Sequence, residues 1–128
     1  MMRLKMVTGT LALMLIGTAS ACGGKTDEAP AKPAVYLKGE AGAKWDNLCV
    51  SCHGKKGAGD GIAAGALAVK PRSFGDQDWQ KSVTDEHLTK VIVEGGKAAG
   101  KSELMPANPD LADKPEVVKA LISKIRSY

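Results

Sequence analysis

Five consecutive residues, Cys49-Val50-Ser51-Cys52-His53, bring two thiols and an imidazole together at fixed spacing. C-x-x-C-H is the attachment sequence for c-type haem. The spacing follows from the chemistry. Two thiols three residues apart can add across the two vinyl groups of one porphyrin, and the imidazole of the next residue then lies under the iron. Other chemistries use parts of the same pattern. A thioredoxin-type redox pair expects a βαβ surround, and the chain shows no period-2 strand of convincing length. Structural zinc takes four ligands, and beyond Cys49, Cys52 and His53 only Cys22 and His87 remain. A plain disulfide stays open, since the chain carries an export signal and disulfides persist outside the cytoplasm.

The elements that must carry this motif are short and helical. Residues 40–50 read as a helix running straight into the cysteine pair. Residues 54–61, GKKGAGDG, read as an irregular loop. Pro71 biases Lys70 to an extended conformation. Thr84 before Asp85 and Glu86 is an N-cap signature, and Leu88, Val91 and Ile92 follow as an apolar stripe that Gly95-Gly96 ends. His87 sits one residue before that stripe and reads as solvated rather than as a ligand. Pro115 and Glu116 open a last helix with Val117, Val118, Leu121, Ile122 and Ile125 on one face. The fold class expected is all-α, three or more short helices joined by long loops, without internal repeats. A stretch such as 95–114 has little regular structure, and loops that long are uncommon unless they serve a function.

Length and composition support a cofactor as organiser. The 128 residues make one domain at most. Arg3 and Lys5 precede an apolar run, Leu11–Ile16, that ends in small residues, which is the order of a secretory signal peptide over 1–21. Without that leader Lys plus Arg falls from 18 to 16 against 14 acidic residues, so the net charge drops from +4 to +2. That balance excludes a nucleic-acid binder by composition. One Phe, two Tyr and two Trp make an aromatic-poor core, and small domains usually need a staple such as a disulfide, a metal or a large cofactor.

Cys22 follows Ala19-Ser20-Ala21, which fits two fates. A peptidase could cut after the Ala-x-Ala pattern and release a periplasmic protein. Alternatively, Cys22 becomes the lipidated first residue of a lipoprotein. The sequence resembles a lipobox, except for Ala19 in place of the usual Leu. Residues 22–38, rich in Gly, Pro, Ala and charge, read as a flexible tether. Its reach is on the order of 50 Å, and it favours the lipid-anchored form, held on the outer side of the cytoplasmic membrane or on the outer membrane.

Residues 39–128 resemble the class I monohaem cytochromes c of bacteria. The matching pieces are W-D-N-L-C-V-S-C-H-G at 45–54, G-A-G-D-G at 57–61, K-P-R-S-F at 70–74, L-x-x-V-I-x-x-G at 88–95, L-M-P-A at 104–107 and a terminal helix ending I-R-S-Y. C-x-x-C-H is the specific piece, and the others stand in the family order. The resemblance implies a cytochrome c fold around one covalent haem c. It implies Cys49 and Cys52 as attachment points and His53 and Met105 as iron ligands. Met105 is the only methionine after the leader, and Pro106 follows it. The resemblance further implies the Pro71 carbonyl as acceptor for the second N–H of His53, and the Trp79 indole as donor toward a haem propionate. Trp45 falls where the family packs an aromatic on the last helix. Ala41 stands where Gly is usual, and Lys124 where the terminal helix often carries an aromatic. Lys55, Lys56, Lys70, Arg72, Lys97 and Lys101 fall in loops expected near the haem rim, where a basic surface would steer an acidic partner.

The function implied is one-electron transfer outside the cytoplasm between a protein donor and a protein acceptor, by a monomer without acid–base catalytic residues. A filled sixth position argues against oxygen or peroxide chemistry, and a soft thioether raises the reduction potential. Two alternatives stand beside it. A haem-based peroxidase or gas sensor would need Met105 not to bind. A cytochrome c subunit of a larger respiratory or dehydrogenase complex would copurify with that complex.

Overall fold

The computed structural model describes residues 38–128. The expected leader, Cys22 and the tether up to residue 37 lie outside the described residues. Every regular element described is helical, and no strand occurs among the described residues. The all-α expectation therefore holds. No helix among the described residues is long and apolar enough to cross a membrane.

The motif-bearing segment is one continuous rod. Helix α1 (Gly39–Lys44) passes into a π turn (Trp45–Cys49) and then α2 (Val50–His53). The junction residues Lys44, Trp45, Cys49 and Val50 all keep right-handed helical backbone angles. The sequence reading placed a helix here but not the π turn. The rest of the chain forms a 3-10 turn (Ala64–Ala66), α3 (Gln77–Ser82), α4 (Asp85–Ala98), a second 3-10 turn (Pro109–Leu111) and α5 (Pro115–Arg126).

Helix α5 is the centre of the core. Its apolar residues recur at helical spacing, so Val118, Leu121, Ile122 and Ile125 share one buried face, with Val117 at its edge. Each such side chain, fully buried, contributes on the order of 1.5–3 kcal/mol. Helices α1 and α4 both pack on α5. Ala41 and Trp45 come from the rod, Leu88 and Ile92 from α4, Leu111 from the second 3-10 turn and Phe74 from the loop before α3. Leu111 and Leu121 are the largest fully buried side chains. Pro115 opens α5 at its first turn, where a missing N–H costs nothing.

Capping fixes the other helix starts. The Thr84 hydroxyl accepts from the His87 N–H at 3.2 Å, as its N-cap position predicts. Asp76 does the same for α3, accepting from the N–H groups of Asp78 and Trp79 at 3.1 and 3.0 Å. That helix was not anticipated, because Gln77–Ser82 is too short to display a periodic stripe. Regular α4 breaks at Gly95, whose φ of 83° no other residue type adopts readily, and one further turn carries it to Ala98.

The rod is held to α5 by apolar contact and by charge. Lys44 reaches Asp110 at 2.8 Å, and Glu40 pairs with Lys114 at the start of α5. These pairs are partly exposed and individually worth little. Ala41 fits the helix contact with only 5 % of its surface exposed. The aromatic partner of Trp45 is supplied by Tyr128, whose ring stacks on it at 6.1 Å. Lys124, at the position where an aromatic was looked for, lays its ammonium 4.7 Å from the centroid of the same Tyr128 ring.

Candidate functional site

The end of the rod is fixed by the glycine-rich loop that follows it. A helix leaves its last carbonyls without partners. Here they are satisfied in alternation: Ala63 N–H donates to Ser51 O at 2.8 Å, Gly61 N–H to Cys52 O at 3.1 Å and Gly59 N–H to His53 O at 2.9 Å. The loop lies so close that a Cβ on Gly61 would stand 2.3 Å from Ser51 O. The sequence signal for this wrap is the recurrence of Gly at 57, 59 and 61. It was read only as irregular loop, since glycine density marks flexibility and tight packing alike.

Within this frame Cys49 and Cys52 are three residues apart on the helix, the spacing of side-chain neighbours. Both are half-buried free thiols. Burial pushes the Cys49 thiol up to about 11, against the opposing pull of Lys44, so it is a neutral thiol at physiological pH. The Ser51 hydroxyl lies 3.8 Å from Cys52 Sγ.

His53 is half-buried and lies face to face with Phe74, ring centroids 4.7 Å apart and planes within 17°. Burial lowers its pKa, which favours the neutral ring, the form able to bind a metal. Its Nδ1 is buried and has no hydrogen-bond partner among the described residues. The hydrogen bond expected from His53 to the Pro71 carbonyl is not among those formed by the described residues. The main chain at Gly59 lies close to that carbonyl, so that a Cβ there would come within 2.3 Å of Pro71 O. Nε2 makes no hydrogen bond to any described residue.

Trp79 is half-buried and stacks on Phe74 at 5.6 Å and 25°. Its indole N–H has no partner among the described residues. Phe74 is thus the hub of an aromatic group that takes in His53, Trp79, Trp45 and Tyr128. Sequence reasoning passed over it, because one Phe in a basic, proline-containing segment carries no periodic signal.

Met105 lies half-buried in the loop between α4 and the second 3-10 turn. The break at Gly95 brings this loop against the end of α4. Gly96 N–H donates to Met105 O at 3.0 Å, and a Cβ on Gly95 would lie 2.8 Å from Ala107 N. Asn108, the one buried polar residue described, donates from Nδ2 to Ile92 O at 2.8 Å, and its N–H donates to Val93 O at 2.9 Å. The methionine segment is thereby tied to the helix at both ends.

Exposed large apolar side chains mark the same three segments. Leu48 precedes Cys49, Val69 lies two residues before Pro71 and Leu104 precedes Met105, at 37 %, 70 % and 59 % exposure. Ile62, at 97 %, flanks an open groove beside the motif that also includes Asp46, Ser51, Lys55, Lys56 and Asp60. The groove is lined by neither His53 nor Met105.

The remaining residues singled out by sequence fall outside this cluster. His87 is half-buried in the first turn of α4. Lys55, Lys56, Lys70, Arg72, Lys97 and Lys101 are all exposed, with Arg72 paired to Asp76 and Lys97 to Glu103. Among the described residues no three His, Cys, Asp or Glu side chains converge on one point. Cys22 lies outside the described residues. Compared with family models, curated proteins and solved structures, the chain gives no match.

Proposed function

We propose that this chain is a class I c-type cytochrome, an exported one-electron carrier with a single covalent haem. The observation that carries the reading is the C-x-x-C-H segment as the structure presents it. Two free thiols stand one helical turn apart, and a neutral imidazole follows them with Nδ1 sealed and Nε2 without a described partner. These donors fit the group. Cys49 and Cys52 would hold it by thioether bonds, and His53 and Met105 would ligate its iron. Leu48, Val69 and Leu104, beside those segments, offer apolar surface to a large flat ring. Pro71 and Trp79 line the polypeptide between the two ligand segments.

When bound, the haem supplies an iron that cycles between ferrous and ferric, one electron at a time. The chain's part is to hold and to exclude. The looped glycine segment fixes the carbonyls of Ser51, Cys52 and His53, and so the positions of both thiols and the imidazole. The Gly96 and Asn108 bonds fix the thioether segment. With both His53 and Met105 given to the iron, the chain would serve as a carrier rather than an enzyme. The partners would be a protein donor and a protein acceptor met by a monomer. The exposed lysines near the motif favour acidic surfaces on those partners. A lipid on Cys22 would keep the domain on a tether at the outer face of a membrane.

The test is expression in a host competent in cytochrome maturation, followed by spectroscopy and mass spectrometry. Expected are a haem-sized adduct on the peptide holding Cys49 and Cys52, and an Fe–S charge-transfer band in the oxidised protein that Met105→Ala abolishes. A diacylglycerol adduct on Cys22 would establish the anchor. Colourless protein with both thiols free would overturn the reading.

A further inference from the structure

We infer that Tyr128 is a positioning residue whose hydroxyl latches the turn after His53 to the end of α5. The latch belongs to the polypeptide and holds whatever the donors bind.

Residues 54–60 leave the rod and double back along it, so that the Gly59 N–H returns to His53 O. With glycine at 54, 57 and 59, this turn has little stiffness of its own. Beyond the rod it makes two hydrogen bonds among the described residues. One joins main chains, from Phe74 N–H to Gly57 O at 2.7 Å. The other comes from a side chain, the Tyr128 hydroxyl, which donates to Lys55 O at 3.0 Å. The same ring closes over Gly57, where a Cβ would meet Tyr128 Cδ2 and Cε2 at 2.9 Å. One residue therefore grips the turn twice, by its hydroxyl and by its ring edge.

Tyr128 is itself held. Its ring stacks on Trp45 at 6.1 Å and 29°, and Lys124 Nζ lies 4.7 Å from the ring centroid. Its carbonyl accepts from Gln77 Nε2 at 3.4 Å, which ties it to α3. Trp45 is part of the buried contact between the rod and α5, with 5 % of its surface exposed. The hydroxyl passes the rigidity of that contact on to the turn. Two consequences follow. The N–H groups of Gly59 and Gly61 stay on the carbonyls of His53 and Cys52 for as long as the core is closed. Lys55 O is also the carbonyl of the Lys55–Lys56 peptide bond, and both lysine side chains are exposed. The latch thus shields a bond that a protease cutting after lysine would need to draw out of the turn.

The experiment compares full-length mature protein with its Tyr128→Phe and Ser127→Ala variants. Phenylalanine keeps the ring and removes the hydroxyl. Ser127→Ala removes a bond at the same end of α5, from Ser127 Oγ to Lys124 O, without touching the turn. Amide hydrogen exchange is read at Gly59 and Gly61 relative to Leu121 and Ile122 of α5, so any general loss of stability cancels. Tyr128→Phe should raise that ratio about three- to tenfold, the span of one neutral hydrogen bond. Ser127→Ala should leave it at the wild-type value. Brief trypsin treatment followed by mass spectrometry should show cleavage after Lys55 or Lys56 accelerated by a similar factor in Tyr128→Phe, with cleavage after Lys97 and Lys101 unchanged. A ratio raised by less than about twofold in Tyr128→Phe, or raised equally by Ser127→Ala, would overturn the inference. So would acceleration shared by all four lysines. Absence of haem from the purified protein bears on the functional reading alone, since both readouts are of the polypeptide.

Discussion

Gly61→Ala tests the claim that the glycine loop, rather than the helix alone, fixes the C-x-x-C-H segment. A Cβ at this position would lie 2.3 Å from Ser51 O, 2.5 Å from Val50 O and 2.6 Å from the Ser51 carbonyl carbon. All three are backbone atoms of the rod, so no change of rotamer relieves the overlap. The loop must retreat by about 1 Å to recover ordinary van der Waals separation. That movement takes the 3.1 Å bond from Gly61 N–H to Cys52 O beyond hydrogen-bonding distance and strains its neighbours at Gly59 and Ala63. Forced displacement in a packed site costs about 1–3 kcal/mol, and each weakened backbone bond adds about 0.5–1.5 kcal/mol. The expected loss is about 3–5 kcal/mol, a large share of the ~5–15 kcal/mol typical of a domain. Urea unfolding followed by circular dichroism measures it as a lower midpoint at unchanged slope. Gly65→Ala is the matched control, since a Cβ there meets nothing within 4 Å, and it should stay within about 0.5 kcal/mol of wild type. If the two variants unfold within 1 kcal/mol of one another, the loop does not bear on the rod as argued.

Three further outcomes follow from contacts elsewhere. Arg126 donates to the carbonyls of Gln80 and Val83, to Gln80 Oε1 and twice to Asp85, joining the end of α5 to α3 and α4; Arg126→Met should cost about 2–3 kcal/mol in urea unfolding, and wild-type stability would contradict the assignment. Asn108→Ala strands the Ile92 carbonyl, so it should cost about 1–3 kcal/mol and speed hydrogen exchange at the Gly96 amide, whereas unchanged exchange there would show that Asn108 does not secure the Met105 segment. The Trp79 N–H, with Arg72 and the Asp78 N–H, holds the Asp76 carboxyl below the ordinary carboxylate range. Its folded form therefore binds a proton less readily than the unfolded chain, so its contribution to stability is present above the ordinary aspartate range and fades as pH falls through and below it. Asp76→Asn keeps the cap oxygen, and its unfolding midpoint should fall less steeply with acid than that of wild type.

How far the residues alone foretell this structure depends on the range of the forces concerned. Thr84, the stripe at Leu88, Val91 and Ile92, and the Pro115 helix were readable because capping and amphipathic spacing act within a few residues. The helix that carries the C-x-x-C-H segment was readable for the same reason. Helix α3 was not, since six residues show less than two turns of pattern and its cap, Asp76, resembles any loop aspartate. The π turn was not, because it differs from an α-helix by one residue in hydrogen-bond register. The stacking of His53 on Phe74 brings together residues 21 apart in sequence, and packing over such a span leaves no local trace.

The π turn at Trp45–Cys49 has a consequence for how the chain can vary. Ahead of it, Ala41 and Trp45 are turned toward α5; after it come the thiols and the imidazole. One residue advances a helix by about 100°. Deleting any single residue between Trp45 and Cys49 would leave an ordinary helix of good propensity, yet would swing the reactive side chains a quarter-circle or more away from Phe74 while the anchor stayed seated. Elsewhere a one-residue gap in a surface-facing rod is a small lesion; at this joint it acts as a misset gear, and length here should be as intolerant of change as the cysteines themselves.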